Sequence, residues 1–197
     1  PKHLFLLDDY CFLRYLRARK WNIKAAIKQI DDTLKWRKKY HVDQLLYKHI
    51  IPYPLINYYK KVVPTFISSH DDVDGNPIVY HQLSDINYQH INQHLREEDI
   101  ILAHAYLQEQ IALKLYYNSM KYKKKIEKVT HIFNLKGMGK KHRKIIDIMK
   151  IIAKHDEQYY PETLKKTILI YTPSIFHLFW KIVKSFLDKN VVKKIII

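Results

Sequence analysis

Val129-Thr130-His131-Ile132-Phe133-Asn134-Leu135 opens the stretch that decides the fold. Its β-branched and aromatic residues read as a strand. Gly137 and Gly139 break the run. Ile145, Ile148, Met149 and Ile152 then recur at helical spacing and read as an amphipathic helix. Thr167 to Tyr171 reads as a second strand, Ser174 to Lys184 as a helix, and Lys194 to Ile197 as a third strand. Strands alternating with helices imply an α/β sheet with parallel crossovers.

Upstream, Asp74-Gly75 is a turn signal, and Pro77-Ile78-Val79-Tyr80 starts another strand. Arg96 to about Asn118 reads as a long helix with Ile100, Ala103, Leu107, Ile111 and Leu115 along one side. The first sixty or so residues read as all-helical. Asp8 or Asp9 caps a helix bearing Phe12, Leu13 and Leu16, in which Cys11 reads as packed core. Asn22 caps a second helix, with Ile23, Ala26, Ile27, Ile30 and Leu34 at apolar spacing and an end near Tyr40. Pro52 and Pro54 punctuate the segment after it. The reading divides the chain into a helical subdomain, 1–62, and an α/β domain, 63–197. The chain stops within its last predicted strand, so that domain is expected to be truncated at its C-terminus.

Composition narrows the function classes. The 197 residues are 47% hydrophobic with only three glycines, which argues for a folded core and against disorder. One cysteine excludes a disulfide scaffold and points to a reducing compartment. The apolar window from Thr167 to Val183 contains Pro173, His177 and Lys181, so it is no membrane span. No signal peptide is visible in the sequence. The net charge of +16 calls for an anionic partner, either nucleic acid or a membrane face. Two basic stretches, Lys121–Lys128 and Lys136–Lys144, flank one predicted strand.

Several motifs carry less than they suggest. His90 and His94 have a metal-ligand spacing, but Ile91 stands where a metalloprotease needs Glu, and surface histidines are the better reading. Gly137-Met138-Gly139-Lys140-Lys141 lacks the upstream glycine and the hydroxyl residue of a phosphate loop, so a tight strand-to-helix turn is expected. No serine elbow or paired catalytic carboxylates occur, and nothing demands an enzyme.

A series of short motifs goes further. Phe12-Leu13-Arg14-Tyr15-Leu16-Arg17-Ala18-Arg19-Lys20-Trp21, Trp36-Arg37, Asp74-Gly75-Asn76-Pro77-Ile78, Asn134-Leu135-Lys136-Gly137, Tyr159-Tyr160-Pro161-Glu162, Phe186-Leu187-Asp188 and Lys194-Ile195 follow one another across nearly the whole chain. In order and spacing the series resembles the CRAL-TRIO lipid-binding family, in its phosphatidylinositol-transfer branch.

The resemblance implies a helical subdomain on a mixed, mostly parallel sheet, with an apolar lipid cavity under a mobile gate helix. The gate falls on Ser174–Lys184, with Ile175, Phe176, Phe179, Trp180 and Val183 facing cavity or membrane. The family's head-group residues fall on Arg19, Lys20, Glu162 and Lys194. Basic donors suit a phosphodiester, and a carboxylate suits inositol hydroxyls. The family's threonine before the late lysine is Val191 here. The paired hydroxyls of choline-lipid exchangers are replaced by Val129 and His131, so choline-lipid binding is not expected. Asn134 and Tyr171 replace the family's Asp and Asn.

The function implied is phospholipid binding and intermembrane transfer, with phosphatidylinositol or a phosphoinositide as ligand. No catalytic residue, metal or cofactor is expected beyond the bound phospholipid. A monomer in the cytoplasm is implied, touching the anionic cytoplasmic leaflet transiently. Two alternatives stay open: a carrier of another hydrophobe on the same scaffold, and a basic nucleic-acid binder stacking bases on Tyr116, Tyr117 and Tyr122.

Overall fold

A computed structural model describes residues 9–47 and 53–197. Asp8 and Pro52, singled out in the sequence, lie outside them. Helix α1 (Asp9–Ala18) begins at Asp9, whose carboxylate meets the positive end of the helix dipole. Its Cys11 and Tyr15 are buried with Ala26. Asn22 caps α2 (Ile23–Lys39), accepting from the Ala25 N–H at 3.0 Å.

The buried face of α2 takes up only part of the apolar stripe read from the sequence, Ala26 with Ile30 packed beside it. Ile23, Ile27 and Leu34 are exposed, while Ala26, Gln29, Thr33, Trp36 and Arg37 are buried. The reason is hydrogen bonding. Gln29 Nε2 donates to the carbonyls of Glu157 and Gln158 at 2.9 and 2.8 Å. These carbonyls end helix α6 (Ile145–Tyr159) and lack intrahelical partners. Polar side chains of α2 therefore cap α6.

Helix α3 (Tyr53–Val62) carries Pro54 in its first turn, where a missing N–H costs no helical bond, and strand β1 (Thr65–Asp71) pairs antiparallel with β2 (Pro77–Gln82). Gly75 turns the chain between them at φ +85°, and a Cβ there would sit 2.7 Å from the Tyr122 ring. Asp72 accepts from the N–H groups of Asp74 and Asn76, fixing that turn. A short α4 (Tyr88–His94) leads into α5 (Glu97–Lys121). Next comes β3 (Val129–Asn134), and the glycine segment behind it is the expected tight turn, with Gly137 at φ +85°. After α6 come β4 (Leu164–Ile170), α7 (Phe176–Phe186), α8 (Lys189–Lys193) and β5 (Ile195–Ile196).

The sheet order is β1-β2-β3-β4-β5, and every pair after the first is parallel. The fold is the mixed, mostly parallel α/β architecture expected, with helices at the N-terminus. Val79 and Val129 pack on Ile111 and Leu115 of α5, which buries one sheet face. Ile56, Tyr59, Ile91, Ile100 and Ile148 form a second core where α3, α4, α5 and α6 meet.

Candidate functional site

The joint between α2 and α6 organises the region where the head-group candidates lie. Trp36 stacks on Tyr159 with ring centroids 4.3 Å apart. Arg37, 1% exposed, bonds Glu109 of α5 at 2.8 and 3.0 Å and Asp43 at 2.5 Å. Tyr160 donates its hydroxyl to Glu109 at 2.9 Å. Burial and the Glu109 carboxylate push the Tyr160 phenol well above its ordinary value. Four motif residues, Trp36, Arg37, Tyr159 and Tyr160, are thus bound into one structural joint.

Two residues beyond Tyr160, Glu162 adopts φ 58°, in the left-handed region. Its Oε2 lies 3.6 Å from Lys194 Nζ, and each side chain is about one-quarter exposed. Lys194 ends α8 and enters β5, and its carbonyl accepts from the Thr167 N–H of β4 at 2.9 Å. Pairing of β4 with β5 therefore places Lys194 beside Glu162. Arg19 is engaged differently. Its guanidinium donates to Gln29 Oε1 at 2.7 Å and Gln158 Oε1 at 3.3 Å. That sets Arg19 at the end of α6, a few residues before Glu162. Lys20 follows it at φ 51° in the turn between α1 and α2, exposed to solvent.

The gate candidate, α7, starts two residues later than the sequence suggested. Phe179 and Val183 are buried against Ile146 of α6, with Ile175, Trp180 and Phe186 packed around them. Phe176 stacks on Trp180 with centroids 6.1 Å apart. The outer side carries His177, Leu178, Lys181, Lys184 and Ser185, all exposed. The helix is therefore amphipathic in place, with Leu178 its exposed apolar residue at 53%. Among the described residues, clefts of 470 and 320 Å³ indent the surface, and α7 lines neither of these.

Val129 is 1% exposed in the core, and His131, two residues on along the strand, shares its face and is partly buried. His131 Nδ1 meets His81 Nε2 at 2.8 Å, and the His81 ring stacks on Phe133 at 4.3 Å. Burial lowers the His131 pKa to about 4 and holds His81 well below its ordinary value. Both histidines are therefore neutral near pH 7. This pair was not legible in the sequence, because its members stand on different strands.

Comparison with known proteins now decides the family. The CRAL/TRIO domain model matches residues 61–197, and the CRAL/TRIO N-terminal domain model matches residues 3–32.

The chain belongs to the CRAL/TRIO domain family.

This is a family of lipid-binding and lipid-transfer proteins rather than enzymes. The chain is 32% identical over 191 residues to the Sec14 cytosolic factor of Schizosaccharomyces pombe, with 96% of this chain and 66% of that protein covered. It is 26% identical to Protein real-time of Drosophila pseudoobscura pseudoobscura, over 92% of this chain and 27% of that protein. The chain thus spans less than two thirds of each relative. The crystal structure of Sfh5 shares the fold, with a TM-score of 0.74 at 18% identity, over 94% of this chain and 62% of that one. None of the described helices is long and apolar enough to cross a membrane.

Proposed function

We propose that this CRAL/TRIO protein carries phosphatidylinositol or a phosphoinositide between membranes. The observation that carries the reading is the approach of Lys194 to Glu162, at 3.6 Å, on the C-terminal side of the joint that also holds Arg19. An ammonium and a carboxylate, both partly open to solvent, are what a phosphodiester bearing a polyol needs. The ammonium holds the phosphate, and the carboxylate accepts from ring hydroxyls. Arg19 supplies a further guanidinium nearby, and Lys20 a mobile charge.

Two acyl chains cost roughly 20 kcal/mol or more to hold in water at about 0.8 kcal/mol per CH₂. Transfer without catalysis therefore needs an apolar shelter that opens at the bilayer. In this reading α7 is the moving part. Its inner side, Ile175, Phe176, Phe179, Trp180 and Val183, exchanges contacts with α6 for contacts with lipid. The choline-lipid positions favour discrimination: Val129 is packed in the core, and His131 already spends a ring nitrogen on His81.

The test is transfer of labelled lipids between vesicles. The protein should move phosphatidylinositol well and phosphatidylcholine weakly. Exchanging the charges in a Glu162→Lys/Lys194→Glu variant keeps an internal pair, so folding should survive while phosphatidylinositol transfer is lost. Unchanged transfer by a well-folded variant would refute the head-group assignment. Equal transfer of both lipids by the unaltered protein would refute the selectivity.

A further inference from the structure

A second polar cluster lies inside the molecule, apart from the Glu162–Lys194 pair. His104 stands on α5, and His155 and Asp156 on α6. Their donor atoms lie within 4.8 Å of one another. His104 Nε2 is 2.7 Å from Asp156 Oδ1, and His155 Nδ1 is 3.6 Å from the same oxygen. Gln108, one turn beyond His104, places its amide nitrogen 3.0 Å from Asp156 Oδ2 and 3.2 Å from His104 Nε2.

His104 Nε2 and the Gln108 amide each have an oxygen of Asp156 within hydrogen-bond distance. The observation that points to a ligand is His155. Its side chain is 3% exposed, and neither ring nitrogen has a hydrogen-bond partner among the described residues. A buried polar group without a partner loses its hydration and regains nothing, so it calls for a partner. Aromatic rings surround it, with Trp36 edge-on at 4.9 Å and Tyr159 at 5.1 Å.

We propose that His104, His155 and Asp156 bind one divalent transition-metal ion of the zinc class, with the carbonyl oxygen of a turned Gln108 as a fourth ligand. Two imidazoles and a carboxylate select zinc, cobalt or nickel over magnesium or calcium. Zinc bonds of about 2.0–2.2 Å bring ligand atoms roughly 3.3 Å apart, so the widest separation closes by a side-chain adjustment. The cation turns all four lone-pair donors toward one centre and gives the buried His155 ring the partner it lacks. Access comes from the 470 Å³ cleft beside α2 and α6, which His155 lines and where Asp32 and Glu98 are balanced by Lys35 and Lys39. The site links α5 to α6 and needs no lipid, so it stands or falls independently of the carrier reading. The sequence alone pointed to no metal, because its histidine pair at helical spacing is His90 and His94. That pair lies exposed on α4, with rings 5.6 Å apart, and is the obvious competing site.

The test therefore uses a His90→Gln/His94→Gln background. In that protein, zinc chloride should bind at one equivalent and raise the thermal midpoint, and a chelator should reverse the shift. Cobalt chloride should give a saturable visible absorption band at the same stoichiometry. Adding His155→Gln or His104→Gln should weaken zinc binding by at least about 100-fold, beyond the effect expected of an outer-shell change. Loss of binding in the background protein itself, or no effect of either added change, would overturn the proposal. If neither added variant folds, zinc-edge X-ray absorption of the loaded background protein decides. Two imidazole ligands support the site, and fewer overturn it.

Discussion

His131 and His81 form a hydrogen-bonded pair of rings that are both neutral near pH 7. For His131 burial is the main cause, opposed by the Asp156 charge and reinforced by His104. An imidazole in the unfolded chain titrates near 6.5, whereas His131 in the folded protein titrates at about 4. Between these values the unfolded chain binds more protons, so stability rises with pH there and is lost as pH falls from 6.5 toward 4. Above 6.5 both states are neutral and the dependence vanishes. Urea unfolding across this window should show the slope, and His131→Gln should reduce it while keeping a partner for His81. His155 is lowered in the same sense, so some slope should remain. An identical slope in the variant would show that His131 does not titrate as its burial requires. At this scale the sequence was legible only where a residue acts on its near neighbours. Asn22 as a helix cap and Asp74-Gly75 as a turn are such cases, since each contact closes within a few positions. Gln29 and Thr33 read as the polar side of α2, but the α6 carbonyls they bond lie over a hundred positions away. No local pattern encodes that contact.

The elements themselves divide along the same line. Long α5 and the parallel strands β3 and β4 were readable because their apolar periodicity is sustained. Helix α3 fell within the segment read as all-helical but was given no bounds there, α8 was hidden by its five residues, and β1 by its polar Ser68-Ser69-His70. For α7 the sequence reads apolar nearly all round, whereas in place one side is docked and the other exposed. That docking supplies a test of the gate. Phe179 is 6% exposed and Leu178 is 53% exposed, so neighbouring residues serve opposite sides. Phe179→Asp puts a charge against Ile146 and should free α7 from α6. Hydrogen exchange over 176–186 should accelerate while the sheet stays protected. Leu178→Asp should leave exchange unchanged and weaken association with anionic vesicles. If Phe179→Asp unfolds the sheet together with α7, the helix is ordinary core and the carrier loses its moving part.

At the scale of the whole molecule, the net charge is +16. The two basic stretches flank β3, and β3 holds them apart. Its six residues span roughly 20 Å at about 3.3 Å per residue. Lys123, Lys124 and Lys125 precede the strand, at the end where Glu162 enters β4. Lys136, Lys140, Lys141, Arg143 and Lys144 follow it, at the end where β4 passes into α7. The contact of Lys136 Nζ with the Tyr171 ring, 6.0 Å to its centroid, ties this second cluster to the segment that leads into α7. Lys181 and Lys184 add charge on the exposed side of α7 itself. Under the proposed carrier function, with α7 as the moving part, the membrane meets that end of the sheet. Each well-placed Lys or Arg contributes about 1 kcal/mol at an anionic surface. Reversing Lys140, Lys141 and Arg143 to Glu should therefore cut association with phosphatidylserine-containing vesicles by roughly 100-fold or more. Reversing Lys123, Lys124 and Lys125 makes the same change in net charge at the opposite end, so it should leave association largely intact. Vesicle sedimentation at fixed ionic strength separates the two outcomes. Equal losses from both triplets would mean that total charge, and not its position beside α7, brings the protein to the membrane.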